Sequence, residues 1–332
     1  MPFRTPDFWY DTSTPSARAK AIALSSFSAL YGLGHVLHQY SKRPQSAGIP
    51  VICIGNLVVG GSGKTPTALA VMDFVKKKGL TQNPCFLSRG YGGSLSGPVI
   101  VQTEKHTAQM VGDEPLLLTA AAPTIVSADR VAGAQFAKAQ GYDMIVMDDG
   151  LQNPGLKKDV SIVVIDGATG FGNGLLLPAG PLRTPPHSGF AKADAVLLIG
   201  EDLTGALDKV PEGKPVLRGS ISALPPLSQA ASYYAFCGIA HPQKFWDALD
   251  RTGLKVAGMS SFPDHHTYTA ADIANLQRQA AELGARLITT TKDAVRLTDS
   301  LVSRSVFDTL EITLDFSKES AELLAILIKH EK

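Results

Sequence analysis

A glycine-rich stretch, VVGGSGKTP at positions 58–66, contains the residue types that bind phosphate groups. Backbone N–H groups at the start of a helix surround phosphate oxygens, a lysine reaches the terminal phosphates, and a hydroxyl binds Mg²⁺. The residues that would do this are Gly60, Gly61, Ser62, Gly63, Lys64 and Thr65. The stretch therefore predicts a nucleotide-binding loop.

The sequence of this loop departs from the general P-loop pattern, which has a glycine where this chain has Val58. The apolar run VICIG precedes the loop, and a helical pattern follows it with Pro66 in the first turn, where a helix tolerates proline. Because Gly60 and Gly61 can make the turn, we favour a nucleotide site. The alternative is a strand–helix turn with chance glycines.

A nucleotide loop predicts a second site, an apolar strand that ends in an acid able to hold Mg²⁺. YDMIVMDDGLQ supplies this strand, with Asp148 and Asp149 at its C-terminal end. Ligands of open α/β sheets bind at that edge. We therefore predict a metal site at Thr65, Asp148 and Asp149. The alternative is a pair of turn-forming aspartates before Gly150.

A pair of acids in VGDEPLLLTA has the chemistry of an acceptor site. Asp113 and Glu114 precede Pro115, and this stretch alone favours a helix cap for one of them. In the functional alternative, Asp113 accepts the proton of an attacking hydroxyl.

The stretch SFPDHHTY places Asp264, His265 and His266 in a loop before a helix that opens with a capping pattern, Thr269-x-x-Asp272. Adjacent histidines point in different directions, so we expect one of them to face a site. A metal-binding pair is the alternative, although the spacing differs from a helical His-x-x-x-His ligand set.

Two arginines lie in glycine- and proline-rich loops, Arg89 in SRGYGG and Arg183 in AGPLRTPP. Each could bind a phosphate group through its planar guanidinium. The alternative for each is a solvated loop cation.

The elements that would position these residues alternate between strand and helix after Pro50. The predicted strands are VICIG, NPCFLS, PVIVQ, PTIVSA, YDMIVMDD, VSIVVID and ADAVLLIG. Helices fit at Pro66–Gly79, Pro115–Ala121 and Arg130–Gln140, and this alternation predicts an α/β fold with a mostly parallel sheet covered by helices. The Gly- and Pro-rich segment 172–190 predicts a long ordered loop, a kind of segment that is usually functional.

Composition along the chain predicts three parts. Residues 1–45 form an N-terminal helix region, residues 46–215 a P-loop domain, and residues 216–332 a smaller α/β domain. The Pro- and Gly-rich segment Val210–Gln229 is the predicted connection. After it, SYYAFCGIA, a helix from Pro242 to Gly253 and ARLITTTKDA form a second strand–helix series.

The N-terminal run from Ala21 to Tyr40 contains no Asp, Glu, Lys or Arg and is long enough to span a bilayer. A polar stripe along one face, basic residues at both ends and aromatic residues upstream favour an interfacial helix instead. The stripe consists of Ser25, Ser28, Gly32, His35 and Gln39. A buried amphipathic helix that covers the domain is the alternative.

Charge and cysteine content exclude several classes of protein. The chain has 31 Lys and Arg against 30 Asp and Glu, so no surplus favours nucleic-acid binding or disorder. Cys53, Cys85 and Cys237 are far apart and odd in number. They predict neither a disulfide framework nor a zinc C-x-x-C site, which suits a reducing cytosol.

Together these motifs resemble the tetraacyldisaccharide 4′-kinase family of lipid A biosynthesis over nearly the whole chain. The resemblance rests, in order, on GGSGKTP, SRGYGG, VGDEPLLL, MDDGLQ, PAGPLR, FCGIAHPQKF, FPDHH and TKDAVRL. It implies two α/β domains with the site between them, and an N-terminal helix that docks on the cytoplasmic face of the bacterial inner membrane. The implied reaction transfers the γ-phosphate of ATP to the 4′-hydroxyl of an acylated glucosamine disaccharide 1-phosphate, giving the 1,4′-bisphosphate.

The resemblance also implies roles for the residues above. Nucleotide phosphates would lie on the loop from Gly61 to Thr65, with Mg²⁺ beside it. The implied catalytic residues are Asp113, which takes the 4′-hydroxyl proton, His265, which assists it, and Lys64, which neutralises charge. The residues expected at the lipid substrate are Arg89, Arg183 and His266.

Two positions depart from the family pattern. After PAGPLR the family usually continues with Glu, whereas this chain has Thr184, and the usual Thr-Glu-Lys-Asp is replaced by Thr290-Thr291-Lys292-Asp293. Thr184 cannot hold a metal or nucleotide through charge, so we do not include it among the predicted site residues.

Two other functions compete with a kinase. A GTPase-type metallochaperone or an ATP-dependent ligase could use the same scaffold, but TTTKDA places Asp293 one residue too early for the guanine-reading pattern [NT]-K-x-D. A non-catalytic lipid-binding protein of the membrane surface would not need Lys64, Thr65 or Asp113, all of which are present.

Overall fold

The computed structural model describes residues 5–11, 13–224, 232–297 and 302–330. Within these ranges the α-helices are α1 Pro15–Tyr40, α2 Lys64–Lys77, α3 Ala108–Val111, α4 Asp113–Thr119, α5 Arg130–Ala139, α6 Pro186–Phe190, α7 Pro242–Arg251, α8 Ala270–Glu282, α9 Thr291–Ala294 and α10 Lys318–His330. The strands are β1 Val51–Gly55, β2 Pro84–Ser88, β3 Val99–Ile100, β4 Thr124–Val126, β5 Met144–Asp148, β6 Val160–Asp166, β7 Ala195–Ile199, β8 Val216–Leu224, β9 Tyr233–Cys237, β10 Val256–Ser261, β11 Arg286–Thr290 and β12 Phe307–Phe316.

These strands form one sheet in the order β10-β9-β11-β12-β8-β7-β6-β1-β5-β2-β4-β3. Strand β1 lies between β5 and β6 and is parallel to both. The antiparallel pairs are β3 with β4 and β8 with β12. We call β1–β7 the N-terminal half of the sheet and β8–β12 the C-terminal half.

The central strands of the N-terminal half are buried on both faces, as expected for parallel strands covered by helices. All five residues of β1 are buried. Val51 and Cys53 belong to one hydrophobic cluster, and Ile52 and Ile54 belong to the cluster on the opposite face, which includes Met72 of α2. The C-terminal ends of β1, β5 and β6 therefore lie at one edge of a rigid layer.

The C-terminal half repeats this layered packing. Phe236 of β9 packs with Ile273 and Leu276 of α8, while Tyr233 packs on the other face with Phe245 of α7. The predicted domain boundary at residue 216 coincides with the first residue of β8, inside the continuous sheet. The division into two domains remains a prediction.

The predicted connection Val210–Gln229 is wrong in its described part, because β8 occupies Val216–Leu224. This strand pairs antiparallel with β12, and Leu217 is fully buried. Side-chain exposure alternates along the strand, with the period of two that is typical of β-structure. The surrounding prolines and glycines obscured this pattern in the sequence. Residues 225–229 of the predicted connection lie outside the described residues.

Two other predictions need correction. The predicted strand PVIVQ is reduced to the two residues of β3, at the edge of the sheet. The predicted loop 172–190 ends in a short helix, α6, because Pro186 lies in its first turn and Phe190 packs in the core.

Helix α1 contacts the rest of the chain through the predicted polar stripe. Ser28 donates to the Leu176 carbonyl over 2.8 Å, and the Gln39 amide donates to the Gln152 carbonyl over 2.9 Å. The opposite face leaves Leu30 68% exposed, so the alternative of a buried amphipathic helix does not hold. Among the described residues, no helix combines the length and apolar character needed to cross a membrane.

Candidate active site

The glycine-rich loop connects the end of β1 to α2, as predicted. Gly60 has φ 108° and Gly63, the N-cap of α2, has φ 86°, in the left-handed region that favours glycine. The Asn56 amide donates to Ser62 Oγ over 2.5 Å and ties the two ends of the loop together. The turn thus uses glycine at the positions where the backbone requires it.

Val58 has a structural reason to differ from the general pattern. Its side chain is 6% exposed, and its backbone forms a bridge with Leu182 in the loop that precedes α6. The next residue, Val59, donates to the Pro181 carbonyl over 2.9 Å. Position 58 is therefore a paired, buried position, and the turn begins two residues later at Gly60.

Lys64 and Thr65 begin α2 and face the acids at the end of β5. Lys64 Nζ lies 3.9 Å from Asp149 Oδ2, and Thr65 Oγ1 donates to Asp148 Oδ2 over 3.1 Å. Burial lowers the pKa of Lys64 although Asp149 opposes the shift. Burial, with the charges of Glu114 and Asp149, raises the pKa of Asp148 to about 7.

The predicted metal residues fit Mg²⁺ by their donor chemistry. Asp148 Oδ1 is buried and has no hydrogen-bond partner. Mg²⁺ binds through one or two carboxylates together with water and substrate phosphates, and needs no complete protein cage. No group of three or more His, Cys, Asp or Glu side chains suited to a metal occurs in the described part of the chain. Thr65, Asp148 and Asp149 can supply the oxygen ligands.

Arg183 pairs with Asp149, and the alternative of a solvated loop cation is wrong for it. Its Nη1 donates to Asp149 Oδ1 over 2.8 Å and to Oδ2 over 2.9 Å. Burial would raise the pKa of Asp149, but Lys64 and Arg183 outweigh it and hold that pKa below its ordinary value. Asp149 is therefore a carboxylate that faces two cations.

Asp113 is the first residue of α4, and the helix-cap alternative is wrong because Gly112 is the N-cap and no side chain caps this helix. Asp113 Oδ2 lies 2.8 Å from His265 Nδ1 and accepts a 2.8 Å hydrogen bond from Arg296 Nε. Burial would raise the pKa of Asp113, but the bonds from His265 and Arg296 lower it to about 2. Its neighbour Glu114 pairs with Lys292 over 3.4 Å.

Two site residues have an unusual backbone. Asp149 with φ 52° and His265 with φ 57° are the non-glycine residues with positive φ in the described ranges. This conformation is costly for residues with a side chain, and it concentrates at functional sites. The surrounding structure therefore holds both side chains in place against local strain.

The two adjacent histidines point to different partners, as predicted. His266 Nε2 lies 3.2 Å from Asp272 Oδ2, and its ring stacks on Phe262 with centroids 4.7 Å apart. Thr269 and Asp272 form the predicted capping box of α8. Because His265 and His266 have separate carboxylate partners, the metal-pair alternative does not hold.

A cleft of about 2040 Å³ lies between the two halves of the sheet. It is larger than the roughly 300–1,000 Å³ of ordinary small-molecule pockets, so it can hold a nucleotide and a second substrate together. The predicted site residues that line it are Gly60, Gly61, Ser62, Gly63, Lys64, Thr65, Arg89, Asp113, Asp148, Asp149, Arg183, His265 and His266. Arg89 is exposed at its rim.

Sequence reasoning missed residues that bring the two halves together. Lys244 of α7 donates to the Gly61 carbonyl over 3.1 Å and also pairs with Asp166 at the end of β6. Arg296 follows α9 and pairs with Asp113. Both residues lie inside sequence motifs on which the family resemblance rests, FCGIAHPQKF and TKDAVRL. Those motifs were the feature of the sequence that could have indicated them.

Comparison with known proteins decides the family. A family model described as tetraacyldisaccharide-1-P 4′-kinase matches residues 20–331. The chain belongs to the tetraacyldisaccharide 4′-kinase family. A relative of that name from Methylobacterium nodulans is 46% identical and covers 97% of this chain and 94% of its own length. Another, from Bradyrhizobium, is 43% identical over 98% of this chain and 95% of its own.

A solved structure of the tetraacyldisaccharide 4′-kinase family resembles the whole architecture. LpxK from Aquifex aeolicus, described as in complex with ATP, is similar with a TM-score of 0.74 and 27% identity, over 94% of this chain and 99% of that one. The family, the kinase class and the fold built on a mostly parallel sheet, all predicted from the sequence, are thereby confirmed.

Proposed function

We propose that this chain transfers the γ-phosphate of ATP to the 4′-hydroxyl of an acylated glucosamine disaccharide 1-phosphate. The main support is that one cleft contains both the phosphate loop and the Asp113–His265 pair. The first holds a phosphate donor and the second can take a proton from a hydroxyl. The ATP complex of the Aquifex LpxK and the name of the family agree with this donor and acceptor.

The phosphate groups of ATP are bound by the loop and its cation. Backbone N–H groups from Gly60 to Thr65 surround the phosphates at the N-terminus of α2, where the helix dipole favours anions. Lys64, which is largely buried, supplies a positive charge at the terminal phosphates. Phosphoryl transfer depends mostly on such positioning and charge neutralisation.

Thr65, Asp148 and Asp149 would hold Mg²⁺ beside these phosphates. When bound, the ion neutralises charge on the transferring phosphoryl group. Arg183 holds Asp149 in its strained backbone position, and its contact with both carboxylate oxygens fixes the direction of that side chain.

The 4′-hydroxyl proton passes to His265, with Asp113 as its orienting partner. An ionised Asp113 can only accept hydrogen bonds, so Nδ1 of His265 must donate, and in the neutral imidazole Nε2 then has the free lone pair. A carboxyl with a pKa of about 2 is a weak proton acceptor at neutral pH. Compared with the sequence-based prediction, Asp113 and His265 exchange the roles of base and helper.

Helix α1 places the protein on the cytoplasmic face of the inner membrane as a peripheral or monotopic protein. Its polar face contacts the loop before α6, and its apolar face, with Phe27, Leu30 and Leu37, is exposed. An amphipathic helix with this arrangement binds at the membrane interface. The lipid acceptor resides there too, and the balance of 31 Lys and Arg against 30 Asp and Glu does not favour a nucleic-acid partner.

The proposal is tested by incubating the protein with γ-labelled ATP or GTP, Mg²⁺ and the disaccharide 1-phosphate in detergent. We expect label in the lipid with ATP, little with GTP, and severe loss in Lys64→Ala with the fold intact. Preferential use of GTP would favour the GTPase alternative. Lipid binding without incorporation of label would favour the non-catalytic alternative.

A further inference from the structure

Arg296 connects the Asp113–His265 pair to the C-terminal half of the sheet. It is 6% exposed. Its Nε donates to Asp113 Oδ2 over 2.8 Å, and its Nη2 lies 2.6 Å from the same oxygen as an ion-pair contact. The oxygen that faces His265 Nδ1 is therefore also the oxygen that faces the guanidinium.

The other side of the guanidinium contacts the backbone that supports His265. Arg296 Nη1 donates to the Gly238 carbonyl over 2.7 Å. The backbone N–H of His265 donates to that same carbonyl over 3.2 Å. One planar side chain thus contacts the Asp113 carboxylate and the Gly238 carbonyl, which also accepts from the His265 backbone.

Arg296 is itself held by a second acid, Asp293, which is fully buried. Nη1 donates to Asp293 Oδ1 over 2.9 Å. Asp293 also accepts bonds from Tyr268 Oη at 2.9 Å, from the Gly238 N–H at 2.9 Å and from Thr290 Oγ1 at 2.6 Å. With four donors Asp293 is well satisfied, and it fixes the plane of the guanidinium.

We propose that Arg296 is a positioning residue for phosphoryl transfer, which holds the Asp113 carboxylate and the His265 loop in the geometry that makes Nε2 the proton acceptor. This inference rests on the function proposed above. It assigns a role to the TKDAVRL segment, which lies outside the phosphate loop and the metal residues.

The guanidinium also sets the charge balance around His265. The groups that face the imidazole are Asp113 at Nδ1, Asp264 with its Oδ2 3.8 Å from Nε2, and the ring of Tyr91 with centroids 6.2 Å apart. Without Arg296, the Asp113 carboxylate loses the cation that faces it, and the guanidinium no longer fixes the oxygen beside His265 Nδ1.

The test compares Arg296→Met and Arg296→Lys with wild type, measuring kcat and the KM for ATP. We expect kcat to fall about 10- to 100-fold in Arg296→Met. The KM for ATP should change little, because the phosphate loop keeps its residues. Arg296→Lys, which keeps the positive charge, should recover part of kcat. Arg286→Met, which breaks a bidentate ion pair with Asp308 in the same half, is the matched control and should leave kcat and KM unchanged.

A double-mutant cycle with Asp113→Asn keeps the test decisive if Arg296→Met folds poorly, because neutralising both partners leaves fewer uncompensated charges. In the Asp113→Asn background, Arg296→Met should lower kcat by no more than about threefold. The proposal is overturned if Arg296→Met retains wild-type kcat, or loses kcat by the same factor in the wild-type and Asp113→Asn backgrounds. Failure of the proposed function is distinguishable, since wild type would then transfer no phosphate.

Discussion

Asp113 has an ionised carboxyl in a buried position, because hydrogen bonds from His265 and Arg296 outweigh the effect of burial. Its pKa falls from 3.8 to about 2. A pKa that is lower in the folded state contributes stability at pH values above the unfolded pKa. That stability is lost as the pH falls through the folded pKa. The stability contributed by the Asp113 carboxylate is therefore lost between about pH 4 and pH 2.

Chemical denaturation of wild type and Asp113→Asn tests this linkage. At about 1.36 kcal/mol for each pH unit, the fall in the pKa of Asp113 from 3.8 to about 2 corresponds to roughly 2.5 kcal/mol of unfolding free energy. We expect Asp113→Asn to be less stable than wild type at pH 7, and the gap to narrow as the pH approaches 2. A gap that stays constant over this range would contradict the assigned charge of Asp113. Asp308→Asn gives the corresponding comparison for an ion pair outside the cleft.

The two adjacent histidines allow a matched comparison of a catalytic and a neighbouring side chain. His265→Gln removes the proton acceptor, so kcat should fall about 10²- to 10⁴-fold with the KM for ATP nearly unchanged. His266→Gln keeps the Asp113–His265 pair intact, because His266 bonds to Asp272 instead. Its effect should therefore fall on the KM for the lipid or on stability. Equal losses of kcat in both variants would contradict the assignment of His265 as the proton acceptor.

At the scale of elements, the connection between β1 and α2 contains two glycines with positive φ, Gly60 and Gly63. Gly63 has φ 86°, and a Cβ there would meet the side chain of Ile199. Gly79, at the other end of α2, has φ 61° and nothing within 4 Å of an added Cβ. An alanine would have a strained backbone at either position, but only Gly63 lies in the phosphate loop.

Replacing each of these glycines by alanine separates strain from ligand binding. Both variants should lose about 1–2 kcal/mol of unfolding free energy from the left-handed backbone, and in Gly63→Ala the Ile199 side chain must also move. Only Gly63→Ala should weaken ATP binding, by about tenfold or more, which is 1.4 kcal/mol per factor of ten. Titration calorimetry with ATP measures the difference. Equal affinity in Gly63→Ala and Gly79→Ala would show that the loop does not contact the phosphates.

Helix α1 gives a second prediction at this scale. Phe27, Leu30 and Leu37 are 60%, 68% and 65% exposed on its outer face. Replacing all three with serine should lower the fraction that floats with anionic phospholipid vesicles by about tenfold or more, because burial of these side chains drives interfacial binding. Serine at the exposed positions Leu203, Met259 and Ile326 is the control for surface hydrophobicity in general. Equal flotation of both variants would contradict docking through α1.

At the scale of the whole molecule, the two halves of the sheet meet at the reacting groups. Glu114 pairs with Lys292 over 3.4 Å, and Lys244 reaches the Gly61 carbonyl over 3.1 Å. A ligand at the phosphate loop is thereby linked to α7.

ATP with Mg²⁺ at 100 times its Kd should increase the free energy of unfolding by about 2.7 kcal/mol.

This link predicts a change in hydrogen exchange that depends on Lys244. In wild type, ATP with Mg²⁺ should slow backbone exchange in both α2 and α7. In Lys244→Met the protection of α2 should remain while that of α7 is lost, and Lys255→Met is a control lysine in the same half. Protection of α7 that persists in Lys244→Met would contradict the coupling through this side chain.

The site divides into a part that the sequence predicts and a part that it does not. Lys64, Thr65, Asp148 and Asp149 were predictable because each lies next to a strand or helix end, and local spacing sets its position. The partnership of Arg296 with Asp113 joins residues 183 positions apart, so no local pattern indicates it. Strand β8 escaped prediction for a different reason, because the prolines and glycines around it obscured its alternating exposure.

The most direct test is a mass measurement on the disaccharide 1-phosphate after incubation with ATP, Mg²⁺ and the wild-type protein. We predict one added phosphate, with fragmentation placing it on the 4′-oxygen, and no addition with Lys64→Ala or His265→Gln under the same conditions. Release of inorganic phosphate without addition to the lipid, or addition at another hydroxyl, would contradict the proposed kinase reaction.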